Sequence, residues 1–172
     1  MRISVTLNID CGSTLMHDWT NNFIAKRGES VERAKRSAAL TELARQATPS
    51  MVTRLVKRLR LDVGVYSAGS GADLNSSLIP FGVQIVRSKL PFAVTITMQA
   101  TPDDAPTIRF TQRIREASSG EDQPEQFTIE VFSDGQDNHY YRVGGKDFAS
   151  EEEVSEVILT PIFSAIDRAI IR

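Results

Sequence analysis

Five runs of apolar residues at two-residue spacing fall between residues 78 and 143, and no other feature restricts the fold of this 172-residue chain so tightly. Phe81, Val83 and Ile85 open the series. Phe92, Val94, Ile96 and Met98 then alternate with Ala93, Thr95, Thr97 and Gln99, and Ile108, Phe110 and Ile114 alternate with Arg109, Thr111, Arg113 and Arg115. Phe127, Ile129 and Val131, and finally Tyr141 and Val143, complete it. A period of two sends successive side chains to opposite faces, so each run has one apolar face, and turn-forming residues between the runs join them as an antiparallel meander. A sheet with one apolar face needs a cover. The segment 150–172 supplies it, which predicts an α+β fold: N-terminal helices, a meander of about five or six strands, and a C-terminal helix packed on the apolar face.

That last helix carries the clearest local signal. Ser150 followed by Glu151, Glu152 and Glu153 matches a capping box, in which the serine oxygen accepts the N3 backbone N–H and Glu153 reaches back to the N–H of Ser150. Three glutamates in the first turn also suit the positive end of the helix dipole. Val154, Val157, Ile158, Ile162, Ala165, Ile166, Ala169 and Ile170 form a nearly unbroken stripe, in which Pro161 is expected to kink the helix or to start a second one capped by Thr160.

Upstream of the meander the spacing is helical. Leu15, Met16, Trp19, Phe23 and Ile24 predict a first helix with Trp19 in packing contact, and Gly28 and Ser30 are expected to end it. A second helix is expected over residues 31–47, with Val31, Ala34, Ala38, Leu43 and Ala44 inward. Thr48 and Pro49 look like a new helix start, and Val52, Leu55, Val56 and Leu59 then share one face of a third helix while Arg54, Lys57 and Arg58 lie on another. Leu61, Val63 and Val65 change to a period of two, predicting a strand, followed by a mobile loop over residues 67–77 anchored by Leu74. Residues 117–125 read as a second exposed loop.

With 41% hydrophobic and 24% charged residues the chain has the composition of a folded protein, and its length fits one domain over residues 1–172. A domain of about 150 residues buries roughly 68–70% of its unfolded surface, so no metal or disulfide is needed to hold it. Cys11 is the single cysteine, which excludes an internal disulfide and a multi-cysteine zinc site and fits a reducing compartment. Ile3, Val5, Leu7 and Ile9 alternate with polar residues as in a strand, unlike a signal peptide, and no apolar run approaches the roughly 20 residues of a membrane span. A cytoplasmic location without membrane attachment is therefore expected.

No constellation assigns a reaction. His17 and His139 are far apart and belong to no metal-binding motif, and Gly69 and Gly71 lack the lysine and the helix start of a phosphate loop. Asp10, Cys11, His17 and Asp18 could be written as a nucleophile with its base, but one cysteine near one histidine arises easily by chance. Catalytic residues, metal ligands and cofactors are therefore assigned as none.

Charge is the remaining clue. Residues 26–60 hold ten Lys and Arg against three Glu, while residues 101–172 hold fifteen Asp and Glu against seven basic residues, so a net charge of −2 conceals a basic N-terminal third. Within it, residues 40–59 resemble the two helices of a helix-turn-helix, although the turn glycine is missing and the connection is short; a plain helical hairpin with a basic outer face accounts for the same residues and is preferred. Arg54, Lys57, Arg58 and Arg60 are the candidate contact residues for an acidic protein or for nucleic acid. Arg109, Arg113 and Arg115 form a secondary basic face, or pair across strands with carboxylates such as Glu130. The expectation is a non-enzymatic binding or regulatory protein engaging another protein, with nucleic-acid binding as the alternative and a homo-oligomer among the open partner states.

Overall fold

The computed structural model describes residues 13–88, 92–100, 106–116 and 124–170, with side chains given for all of these except 13–17, 92, 114–116, 124 and 170. Two helices flank a seven-stranded sheet: α1 (Ser13–Ser70), β1 (Asn75–Ile79), β2 (Gly82–Arg87), β3 (Phe92–Ala100), β4 (Thr107–Glu116), β5 (Pro124–Ser133), β6 (His139–Val143), β7 (Lys146–Phe148) and α2 (Glu151–Ile170). The chain divides into two compact units, Met1–Ala39 and Leu40–Arg172.

In the second unit the strands follow one another in space as in sequence, every neighbouring pair antiparallel. The register carries the expected alternation across the sheet: Val83 faces Met98, Met98 faces Phe110, and Phe110 faces Phe127. The rings of Phe110 and Phe127 stack with centroids 4.2 Å apart. Onto this face α1 brings Met51, Val52, Leu55, Val56, Leu59 and Val63, and α2 brings Val154, Ile158, Leu159, Ile162 and Ile166, all in one buried cluster. The α+β architecture with a C-terminal helix on the apolar face is as expected. At the tight turn into β2, Gly82 has no substitute, because a Cβ there would lie 1.8 Å from the Met98 carbonyl oxygen.

Two strands escaped the sequence pattern, and both are edges. β1 reads Asn-Ser-Ser-Leu-Ile and β7 is only three residues long, so neither buries enough apolar surface to show a period of two. The predicted strand over residues 61–66 is helix instead. Val63 continues the buried series Val52, Val56, Leu59 of α1, whereas Leu61 and Val65, at 58% and 65% exposure, point outward; the apparent alternation mixed one core residue with two surface ones. The expected mobile loop over residues 67–77 contracts accordingly. Helix runs to Ser70 and β1 begins at Asn75, while Ala72 and Leu74 are buried and the Ala72 carbonyl accepts the Arg87 Nε–H at 2.9 Å.

The breaks expected at Gly28, Ser30 and Thr48–Pro49 do not occur, so residues 40–59 form neither a hairpin nor a helix-turn-helix but one helical run with Pro49 inside it. A proline removes one backbone donor, here the one that would reach the Arg45 carbonyl, and the hydroxyls around it bond back along the helix: Thr48 donates to Ala44 at 2.8 Å, Ser50 to Ala47 at 2.8 Å and Thr53 to Pro49 at 2.8 Å. Thr48 therefore bonds backward as a helix-interior residue instead of forward as a cap. Pro161 likewise lies inside an uninterrupted α2, so no second helix starts at Thr160. The capping box is present: Ser150 Oγ accepts from the Glu153 N–H at 3.3 Å and Glu153 Oε2 accepts from the Ser150 N–H at 3.2 Å.

In the first unit, Trp19 is 69% exposed, against the expectation of a packing role, and every residue from 18 to 39 is exposed. The strand expected over residues 3–9 lies outside the described residues, as do Asp10 and Cys11 and most of the loop expected at 117–125. Among the described residues, no helix is long and apolar enough to cross a membrane.

Candidate protein-docking groove between two helices

The C-terminal part of α1 and α2 run side by side in the same direction, tied by polar contacts at successive levels. Arg54 Nε donates to Glu151 Oε1 at 2.8 Å. One and two turns on, Arg58 reaches Asp62 Oδ2 at 2.9 Å and Glu152 Oε1 at 3.4 Å, and the Ser155 hydroxyl donates to Asp62 Oδ2 at 2.5 Å. The Tyr66 hydroxyl donates to Asp167 Oδ1 at 2.6 Å, and its ring stacks on Phe163 with centroids 3.8 Å apart. Beneath the first level Tyr141 rises from the sheet, its hydroxyl 2.9 Å from the Met51 carbonyl oxygen and 3.0 Å from Glu151 Oε1.

These contacts set the protonation of the groups they join. The hydrogen bond to Asp62 holds the Arg58 guanidinium above its ordinary pKa, with Glu152 adding to the effect, so it stays charged throughout the biological range. Burial, and then the bond to Asp167, push the Tyr66 phenol up to about 12. Burial and the Glu151 carboxylate raise Tyr141 as well. Both phenols are therefore neutral donors at neutral pH, and Ser155, almost fully buried, has its hydroxyl committed to Asp62.

Between the two helices lies an open groove of about 410 Å³, lined by Val65, Tyr66, Leu159 and Phe163 on the apolar side and by Arg58, Asp62, Glu152 and Glu156 on the polar side. A second concavity of about 410 Å³, lined by Leu61 with Arg54, Lys57, Ser150 and Glu151, shares Arg58 and Glu152 with the first and extends it toward the start of α2. From Ser150 to Phe163 the α2 wall carries four glutamates and no cation. The result is an elongated surface with exposed leucine and valine on one lip and carboxylates on the other.

Of the candidate residues, Arg54, Lys57 and Arg58 come together here, at one end of the groove. They do not form the uniform basic face expected of them, because Glu151, Asp62 and Glu152 lie against two of the three. Arg60 is exposed but lines neither concavity. Arg109 and Arg113 are exposed on the opposite face of the sheet, and the side chain of Arg115 lies outside the described residues. Cross-strand pairing with Glu130 goes elsewhere: Arg109 stands opposite Gln99 and Thr128, Arg113 opposite Thr95, and Glu130 opposite Arg142. Arg142 is held above its ordinary pKa chiefly by its hydrogen bond to Asp147 at 2.6 Å, with Glu130 contributing.

Leu61, Val65, Glu152 and Glu156 were absent from the sequence-based candidates. Leu61 and Val65 fit a strand pattern and Glu152 fits the helix cap, while nothing in the sequence marks Glu156. The i, i+4 spacing of Leu61 and Val65, just off the buried stripe, is the signal that marks them. Among the described residues no three His, Cys, Asp or Glu side chains gather as metal ligands. The chain has no significant match to a protein-family model, to a curated protein or to a solved structure.

Proposed function

We propose that this chain is a non-enzymatic protein-binding module whose docking surface is the groove between α1 and α2, and that its partner there is an amphipathic helix with basic flanks. The observation that carries this is the exposure of Leu61 and Val65 beside the α2 carboxylates Glu152 and Glu156, the second of which meets no cation among the described residues. A helix laid in such a groove buries its apolar face against Leu61, Val65 and Phe163 and sets its cations against Glu152 and Glu156. Nucleic acid is disfavoured at the same place, since Arg54 and Arg58 meet carboxylates of their own chain and little counterion release remains to drive phosphate binding.

A labelled synthetic helix of alternating leucine and lysine faces is a suitable probe. Its fluorescence anisotropy should rise with the full chain, and Leu61→Arg with Val65→Arg should weaken binding by about tenfold or more, a loss of roughly 1.4 kcal/mol. Thr97→Arg, on the far face of the sheet, should change nothing. Probe binding that ignores the groove substitutions, or retention of duplex DNA at near-physiological salt that is lost on replacing Arg54, Lys57 and Arg58 by glutamine, would overturn the proposal.

A further inference from the structure

We propose that the helix taken up by this groove is the 19–36 segment of a second copy of the same chain, an inference that rests on the groove being a docking site. Residues 18–39 are helical and exposed without exception, yet the segment contains Trp19, Phe23, Ile24 and Val31, with the Trp19 and Phe23 rings stacked at 5.8 Å. A helix that buries nothing is marginal in water, and large apolar side chains left in solvent mark a contact surface. Its apolar side chains are exposed, and so are Leu61 and Val65 along the groove.

The two surfaces match in charge and in length. Residues 26–36 hold five cations, Lys26, Arg27, Arg33, Lys35 and Arg36, against Glu29 and Glu32. Those glutamates are matched within the helix, Glu29 to Arg33 at 4.0 Å and Glu32 to Lys35 at 3.9 Å, so the segment keeps a net positive charge. Pairing two such segments with each other would oppose like charges, whereas the groove offers Glu156, which meets no cation among the described residues, and Glu152, which it shares with Arg58 at 3.4 Å. The rise from Trp19 to Val31 is about 18 Å and from Glu152 to Phe163 about 17 Å, at roughly 1.5 Å per residue.

Charge order also sets direction. With Trp19, Phe23 and Ile24 on the Val65 and Phe163 end, Lys26 and Arg27 fall beside Glu156 and Glu152, so the docked helix runs antiparallel to α2. Trp19 and Phe23 bring about 300–500 Å² of aromatic surface. Reciprocal exchange between two copies repeats the whole contact by symmetry, toward the roughly 1,200–2,000 Å² of stable interfaces.

Sedimentation velocity on the full chain tests this by complementation. Wild type should dimerise, while an arm variant (Trp19→Ala with Phe23→Ala) and a groove variant (Leu61→Arg with Val65→Arg) should each sediment as a monomer, with dimerisation weakened about tenfold or more. All four positions are exposed, and unchanged circular dichroism should confirm that folding is intact. Mixed together, the two variants should form a one-to-one complex weaker than the wild-type dimer, because one retains the arm and the other the groove. A wild type that stays monomeric, or variants that do not complement, would overturn the second-copy assignment. If the leucine–lysine helix still bound the groove in that case, the docking reading would survive; if it too failed to bind, both would fall.

Discussion

Two stretches of α1 share one helical hydrogen-bonding pattern and have opposite surroundings. Between residues 51 and 63, Met51, Leu55, Leu59 and Val63 are almost completely buried against the sheet; between residues 18 and 39 nothing is buried, although the stretch carries Trp19, Phe23, Ile24 and Val31. Propensity and spacing make both stretches helical. What differs is whether the apolar side chains find a partner in their own chain, and helix stability in water comes mostly from that burial. One α1 thus contains a stretch whose apolar side chains are buried and a stretch whose apolar side chains are exposed.

The contrast can be broken most severely in the core. Leu55→Ala, at a position with no exposure, should lower the unfolding free energy by about 2–5 kcal/mol through lost burial and the cavity left behind. Trp19→Ala removes a larger side chain, yet in dilute solution its effect should stay within about 0.5 kcal/mol, as for other surface positions. Comparable shifts in denaturant midpoint for the two variants would show that residue 19 is packed within its own chain.

A smaller effect sharpens the same contrast from the other helix. Ser150→Ala removes the hydroxyl that accepts the Glu153 N–H and should cost about 1 kcal/mol in chemical denaturation, because the α2 that it caps covers the sheet. An unaltered midpoint would place the stabilising start of α2 elsewhere.

Which parts of this fold were legible follows from the same distinction. The strands β2 to β6 could be read because one face of each is buried, and burial is what writes a period of two into sequence. The edges β1 and β7 bury little and leave no such trace. The cap at Ser150 is a contact between residues three apart, so local spacing reveals it. In α1, local stop signals misled: Gly28 and Ser30 disfavour a helix by only about 1 kcal/mol or less each, and Pro49 stands beside the buried residues Met51 and Val52, whose packing overrides its larger cost. The groove was half visible. Arg54, Lys57 and Arg58 could be picked out by charge, but the carboxylates that meet them come from far along the chain, 94 residues away in the case of Arg58 and Glu152, and no local pattern announces such a pairing.

Hydrogen exchange along α1, followed residue by residue on the dilute full-length chain, tests the division of this helix most directly. Amides of residues 51–63 should exchange only through openings that approach global unfolding, whereas those of residues 18–39 should exchange orders of magnitude faster through local fraying and slow down as concentration rises and the second copy docks. Uniform, concentration-independent protection from residue 18 to residue 63 would contradict the account.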